Sequence, residues 1–472
     1  MNHTTDTDTA GRREWIGLAV LALPALLVTM DLSVLFLAVP ALTRDLAPSS
    51  TELLWITDIY GFLIAGSLIT MGTLGDRIGR RRLLMIGGFA FAVASVLAAF
   101  ATSPAMLIAA RAVLGVAGAT LAPSSLSLIR SLFPDERRRT VAIGIWMSCF
   151  AAGAAVGPLV GGALLEQFWW GSVFLLNVPV MAVMLALAPR VLPESRDPSP
   201  GRFDIPGAAL SVIALLALVY GVKRVAEQGL DGVAVVSALA GLLVGMLFVR
   251  RQRRTHDPLI DLGVFRLQAI RVSIASMVLA TFVMAGMLLF ITQYLQLVRG
   301  MGPLEAGLWS VPAMVGSIAG SMLAPAVAAR VRKELVLAGS MGLAAAGLGL
   351  LALVSDGSTT LAVLVAGSLG MGLGAGAIGT VATDLIVGTA PPERAGAASG
   401  ISETGAELGG ALGIAILGSI GTAVHGEDAF VEGLQLAALT GAALTAVAAA
   451  VAAVVLLRFT APAAGSLLAG SR

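Results

Sequence analysis

Fourteen apolar runs follow one another along the chain, separated by short polar or basic stretches. They lie at about 15–41, 52–74, 83–102, 105–129, 140–165, 170–192, 205–225, 231–249, 270–298, 304–328, 335–354, 359–384, 397–424 and 430–457. A helix of about 20 apolar residues spans the hydrocarbon core of a bilayer, so the pattern predicts an all-α polytopic membrane protein with 14 transmembrane helices. The first run is long enough to tilt or bend. Two longer polar connections, around 193–204 and 250–267, bracket a pair of runs with few interior charges. The expected organisation is therefore a tail over 1–14, a six-helix bundle over 15–192, linkers and a two-helix insert over 193–268, a second six-helix bundle over 269–458 and a tail over 459–472. Two bundles around a central path is a recurring transporter design. A weak internal repeat supports it. The basic loop after the second span (Gly75-Asp76-Arg77) corresponds by position to Ala329-Arg330-Val-Arg332 after the tenth, where the acid and glycines are missing.

Charge fixes the expected orientation. With the N-terminus inside and alternating spans, 25 of the 30 Lys and Arg residues fall in cytoplasmic segments, four fall outside (Arg44, Lys223, Arg224, Arg299), and Arg111 lies within a span. This obeys the positive-inside rule and places both termini in the cytoplasm. The segment Met1–Glu14 lacks the apolar core of a cleavable signal, so the first span would act as its own insertion signal. Composition agrees: 57% hydrophobic, 12% charged, mean hydropathy +0.92, against about 25% charged residues in a soluble domain. A net charge of +2 gives no case for nucleic-acid binding. Cys149, the single cysteine, reads as a small packing residue. High Ala, Gly and Arg content points to a GC-rich bacterial genome, and the expected location is the bacterial inner membrane.

Several motifs carry more specific information. They are Gly72-x-Leu-Gly-Asp76-Arg77-x-Gly79-Arg80-Arg81-Arg82 after span 2, Arg111-x-x-x-Gly115-x-x-Gly118 in span 4, and Gly153-x-x-x-Gly157-Pro158-x-x-Gly161-Gly162 in span 5. Met30-Asp31 … Pro40, Leu54-Trp55-Ile-Thr-Asp58-Ile-Tyr60 and Ser402-Glu403-Thr-Gly-Ala-Glu407 accompany them. Together with 14 spans, these resemble the drug:proton antiporter branch of the major facilitator superfamily, the QacA/LfrA/SmvA type of multidrug exporter. The resemblance covers nearly the whole chain. It implies a secondary active exporter exchanging protons for lipophilic cations (quaternary ammonium compounds, dyes, fluoroquinolones) by alternating access. The alternative is a proton-coupled exporter of one dedicated metabolite or antibiotic. The family's further acid in span 10 is replaced here by Ser317, and its long hairpin between spans 13 and 14 by about six residues at 425–430.

Acids inside spans are costly, by ~2.5–3.5 kcal/mol on insertion scales, and so mark function. Asp31 lies about 16 residues into its span, roughly 24 Å deep at 1.5 Å per residue, and Arg111 enters span 4 to a comparable depth. Asp31 is expected to be the proton-coupling group with Arg111 beside it; a purely structural ion pair is the alternative. Asp58, nearer the outer surface, is a substrate or proton residue or a hydrated acid. Glu403 and Glu407, at i and i+4, share a helix face and form a substrate or proton site, or local polar packing. Asp384 reads as interfacial. Gly72, Asp76, Arg77, Gly79 and Arg80 form a latch between helix ends, or a charge cluster that only fixes topology. Gly153, Gly157 and Gly161, at i, i+4 and i+8, lie along one face and permit close helix contact, expected with the opposite bundle, or serve ordinary small-residue packing; Gly162 completes the motif, and Pro158 bends the rod. Trp55, Tyr60, Trp146, Phe150, Met284, Met287, Phe290, Tyr294 and Trp309 are candidates for an adaptable aromatic cavity.

No cofactor is expected. Neither lysine, Lys223 or Lys333, completes a P-loop, so the drive would be the proton gradient rather than ATP. His3, His256 and His425 form no metal cluster, and no nucleophile–base pattern suggests an enzyme. The partners are then small lipophilic cations, protons and lipid, with a monomer sufficient.

Overall fold

The computed structural model describes residues 11–196, 204–228, 231–255, 258–260, 262–301, 303–354, 360–391, 395–423 and 427–459; among them there are helices and no strands. The first six crossings are α1 (Arg12–Leu46), α2 (Ser50–Ile78), α3 (Arg80–Ala99), α4 (Pro104–Leu132), α5 (Glu136–Gln167) and a broken sixth, α6 (Ser172–Leu175) with α7 (Asn177–Val191). The insert is α8 (Ile205–Gln228) and α9 (Gly232–Gln252). Then come α10 (Gln268–Gln293), a second broken crossing of α11 (Pro303–Leu308) and α12 (Val311–Ala328), α13 (Lys333–Leu351), α14 (Thr360–Thr389), α15 (Ala395–Ala423) and α16 (Glu427–Phe459). Thirteen described stretches are long and apolar enough to cross a membrane, and α15 is the remaining long helix. The helices overrun the apolar runs because their polar ends project past the hydrocarbon; α5 begins at Glu136, a turn before its apolar run. Pro24 and Pro40 sit inside the long α1, where each removes a backbone donor.

The packing order reveals the repeat that the sequence only hints at. In the first half α1 packs on α5, α2 on α4 and α3 on α4; in the second, α10 packs on α15, α12 on α14 and α13 on α14. Leu21, Phe91, Leu114, Trp146 and Met181 belong to the first core, and Met287, Phe290, Leu348 and Leu434 to one in the second. The two halves meet along α2–α15 and α5–α12.

The insert leans on one of these seams. α8 runs antiparallel to α2: Thr70 and Ser211 share a hydrogen bond at 3.3 Å, and Tyr220 stacks on Trp55 with ring centroids 6.2 Å apart. α8 also touches α15. Its start is pinned by Asp204, which accepts from the Gly207 N–H at 3.0 Å, Arg251 at 2.9 Å and Gln252 at 3.2 Å. Burial opposes ionisation of Asp204, but these donors win and hold its carboxyl below the usual range.

Candidate transport site

The bundles are locked together at the end that carries the basic loops. Asp76, buried at the end of α2, accepts from the backbone N–H groups of Gly396 at 2.9 Å and Ala397 at 3.0 Å, in the first turn of α15. The positive end of the helix dipole and two unsatisfied N–H groups favour a carboxylate there. Arg80 holds the same carboxylate at 2.9 Å and reaches Ser195 at 3.0 Å. Gly72 lets the helices approach, since a Cβ there would overlap the carbonyl of Gly396. Gly79, at φ +109°, breaks α2 from α3 so that Arg80 turns back onto Asp76. Arg77 lies half-buried beside them.

A second lock spans the other seam. Asp384, fully buried near the end of α14, receives Arg139 at 2.8 Å and Thr140 at 2.7 Å from α5, together with Lys333 from α13. Lys333 also bridges to Glu136 at 2.7 Å. Arg130, ending α4, donates to the carbonyls of Val387, Gly388 and Ala390 at the end of α14. Asp384 is therefore a structural ion-pair centre and not the interfacial acid that its position near a span end suggests. It supplies on this side the acid that the repeat of the Asp76 loop lacks.

Inside the first bundle, Asp31 and Arg111 meet. Arg111 Nη1 lies 3.3 Å from Asp31 Oδ2, with both side chains almost wholly buried. Arg111 also reaches the Thr57 carbonyl at 3.5 Å and lies over the Tyr60 ring at 5.0 Å from its centroid. The Phe174 ring lies 6.0 Å from the guanidinium as well, and the two rings cover the cation without competing for its N–H groups. The other oxygen of Asp31 accepts from Asn177 at 3.0 Å.

Between the bundles lies a cavity of about 500 Å³. Phe62 of α2, Phe150 of α5, Met277 and Met284 of α10, and Glu403 and Glu407 of α15 line it. Among the described residues, no Lys or Arg is in its wall. One carboxyl oxygen of Glu403 is buried without a hydrogen-bond partner from the protein. Ser317 stands in the α12 wall, and Val219 of the insert adds to the apolar lining. The arrangement is an apolar chamber with two acids, Glu403 and Glu407, on one face.

The Major Facilitator Superfamily model matches residues 21–414 and again 272–471. The chain belongs to this superfamily. It is 45% identical over 452 residues to the multidrug efflux pump LfrA of Mycolicibacterium smegmatis, covering 95% of this chain and 90% of that one. It is 38% identical over 407 residues to the methyl viologen resistance protein SmvA of Salmonella typhimurium, covering 86% and 82%. The crystal structure of the human organic anion transporter MFSD10 (TETRAN) shares the fold, with a TM-score of 0.67 at 17% identity over 93% of this chain and 99% of that one. The protein is thus a multi-pass membrane transporter of the major facilitator superfamily.

Within this superfamily fold the glycine motif of α5 faces its own bundle. A Cβ on Gly153 would strike the Leu26 carbonyl and the Thr29 hydroxyl of α1, and one on Gly161 would press on Val34 of α1 at 2.7 Å. The expected contact with the opposite bundle is made lower down, where Gly144 meets Ser321 of α12. The reason is geometric: the glycine face is the one that α5 turns to α1, as its counterpart α15 turns to α10. Gly157 is buried, a Cβ on Gly162 meets nothing within 4 Å, and the side chain of Pro158 lies outside the described residues.

Most of the aromatic candidates are core residues. Tyr60, Trp146, Met287, Phe290 and Tyr294 are fully buried, and Trp309 packs against the second core. Trp55 lies against Tyr220 of the insert. Phe150 and Met284 do line the cavity. Asp58 is half-buried on α2, outside the set of lining residues. Residues 424–426, in the short connection between α15 and α16, lie outside the described residues, as do His3 and His256. Sequence reasoning missed Asn177, whose signal was a lone carboxamide in an apolar run. It also missed Phe62 and Met277, which no spacing separates from lipid-facing neighbours.

Proposed function

We propose that the protein is a secondary active multidrug exporter that exchanges protons for lipophilic cations by alternating access. The observation that carries this reading is the cavity. It combines apolar and aromatic walls with Glu403 and Glu407, has no basic residue among the described ones that line it, and buries one Glu403 carboxyl oxygen with no hydrogen-bond partner among the described residues. Such a chamber favours a ligand that is both greasy and positively charged. The relatives' names, a multidrug efflux pump and a methyl viologen resistance protein, point the same way.

Asp31 and Arg111 supply the proton step. They lie in the first bundle, apart from the cavity lining, so proton and drug would be handled by different carboxylates. With the basic end at the cytoplasm, in a bacterial inner membrane, the conformation is closed inward. Return to the inward-open state requires Asp76 to leave the α15 N-terminus and Asp384 to leave Arg139. Both locks carry charge, and apolar contacts beside them, Val387 of α14 in the first core and Ile69 of α2 with Ile401 of α15, part with them.

The energetics suit more than one acid. Moving a unit charge across the membrane is worth ~2.3 kcal/mol per 100 mV. One proton inward for one monovalent cation outward moves no net charge and uses only the pH gradient. A second proton adds the voltage.

The test is ethidium transport in everted vesicles energised by an imposed pH gradient. Wild type should accumulate the dye, a protonophore should abolish accumulation, and Asp31→Asn should abolish it while leaving the protein folded. Transport by Asp31→Asn at the wild-type rate removes the proton assignment. No dye movement, with tight binding of one metabolite, makes the protein a dedicated exporter.

A further inference from the structure

Asn177 is the first residue of α7, where Leu176 interrupts the sixth crossing, and it is 1% exposed. Its side-chain nitrogen donates to Asp31 Oδ1 at 3.0 Å and to Ser95 Oγ of α3 at 3.2 Å. Arg111 holds the other carboxyl oxygen at 3.3 Å. Both oxygens of Asp31 are thus met by donors, and the amide commits both of its N–H groups to this network. The groups that face Asp31 are Arg111 from α4, Tyr60 from α2, and Asn177 from α7 with Ser95 behind it. From Thr140 to Leu165, α5 carries no ionisable side chain except Cys149.

We propose that Asn177 is a positioning residue of the proton site, holding Asp31 in either protonation state by presenting one end or the other of its amide. With Asp31 ionised, the N–H donates to the carboxylate, as in this conformation. When a proton arrives on Oδ1, the new O–H needs an acceptor where a donor now stands. Turning the amide over places its oxygen there, and the Ser95 hydroxyl, which can donate or accept, reverses with it. No bond to carbon forms or breaks; one proton is taken up from water and later returned. A carboxylate or an alkyl group at position 177 would serve one state at most. This inference rests on the reading of Asp31 as the proton carrier.

The consequence has a definite sign. A donor to a carboxylate stabilises the ionised form, so removing it raises the affinity of Asp31 for a proton. Asn177→Leu keeps similar volume without a donor. Asn177→Leu loses the charge-assisted bond of the ionised state and the weaker neutral bond of the protonated one, so the pH profile of proton uptake should move upward by about one unit, the difference between the two. Ser95→Ala, which leaves the amide less well oriented, should shift it less but in the same direction.

The measurement is an infrared titration of the purified full-length protein, following the protonated-carboxyl band that Asp31→Asn removes. Chromatography and circular dichroism check folding. A folded Asn177→Leu protein with the wild-type midpoint overturns the proposal; a rise supports it. If Asn177→Leu does not fold, Ser95→Ala decides, and an unchanged midpoint there overturns it equally. The reading beneath it fails separately, by proton-driven transport in Asp31→Asn vesicles.

Discussion

Arg139 reaches across the seam between the bundles to place its Nε 2.8 Å from Asp384, a carboxylate with no solvent exposure. Asp384 also receives Thr140 and Lys333, so one acid ties three elements, α5, α13 and α14. Removing one partner of a buried pair costs about 3–5 kcal/mol, far more than the intact pair contributes. That penalty falls on the state closed at the basic end.

Asp384→Asn should therefore shift the population toward the conformation open at that end, by at least tenfold. Spin labels at Ser131→Cys and Ala329→Cys, in a Cys149→Ser background free of other cysteines, would read the separation. A longer distance should gain population. An unchanged distribution would mean that Asp76 and Arg130 hold the closure alone.

The two cavity acids should matter for charge and not for shape. Glu403→Gln and Glu407→Gln are nearly isosteric, so apolar packing in the chamber is retained. Each should weaken ethidium binding by about tenfold or more, in line with the loss of a hydrogen bond or contact to a charged group. Binding of an uncharged ligand of similar size should stay within twofold. Equal losses for both ligands would show a packing role. Fluorescence titration of the purified variants distinguishes the outcomes.

What was legible in the sequence was depth. Hydropathy located the crossings, and counting residues brought Asp31 and Arg111 to the same level, where they meet. What was illegible was which face of each helix turns to which neighbour. Nothing along the chain says that Gly153 faces α1 and not the opposite bundle, or that Asp384 will find Arg139, 245 residues away. Trp146 and Phe150, one turn apart on α5, received the same reading, yet one is core and the other lines the cavity. Such differences arise from lateral packing of the helices, to which a one-dimensional hydropathy pattern is blind.

The insert offers a pH test. Asp204 is held below the usual carboxyl range against the pull of its burial, chiefly by Arg251 and the Gly207 N–H. A group with a depressed folded pKa stabilises the native state above its unfolded value, 3.8 here, and loses that contribution as pH falls through the folded value. Between neutrality and pH 5 the contribution of Asp204 should be nearly constant, and below about pH 4 it should fade. Asp204→Asn should lower the thermal midpoint at pH 7, and the gap to wild type should narrow on acidification below pH 4. A gap that stays constant down to the acid limit would mean that the asparagine loses packing and not charge.

The span 5 glycines give the sharpest contrast, because one motif contains both a filled and an empty position. A methyl at Gly153 runs into the backbone of α1 at Leu26 and into Thr29, whose hydroxyl donates to the Phe150 carbonyl of α5 at 3.0 Å. Backbone cannot step aside as a flexible side chain can, so α1 and α5 must separate, at a cost of about 1–3 kcal/mol. A methyl at Gly162 meets nothing within 4 Å. There the only change is relief of glycine's poor helix propensity, worth up to ~1 kcal/mol in the stabilising direction. Gly153→Ala should lower the melting temperature and, because α1 carries Asp31 two residues beyond Thr29, slow proton-driven transport. Gly162→Ala should melt at or slightly above wild type and transport normally. If both variants behave alike, the motif acts through something other than the α1–α5 seam.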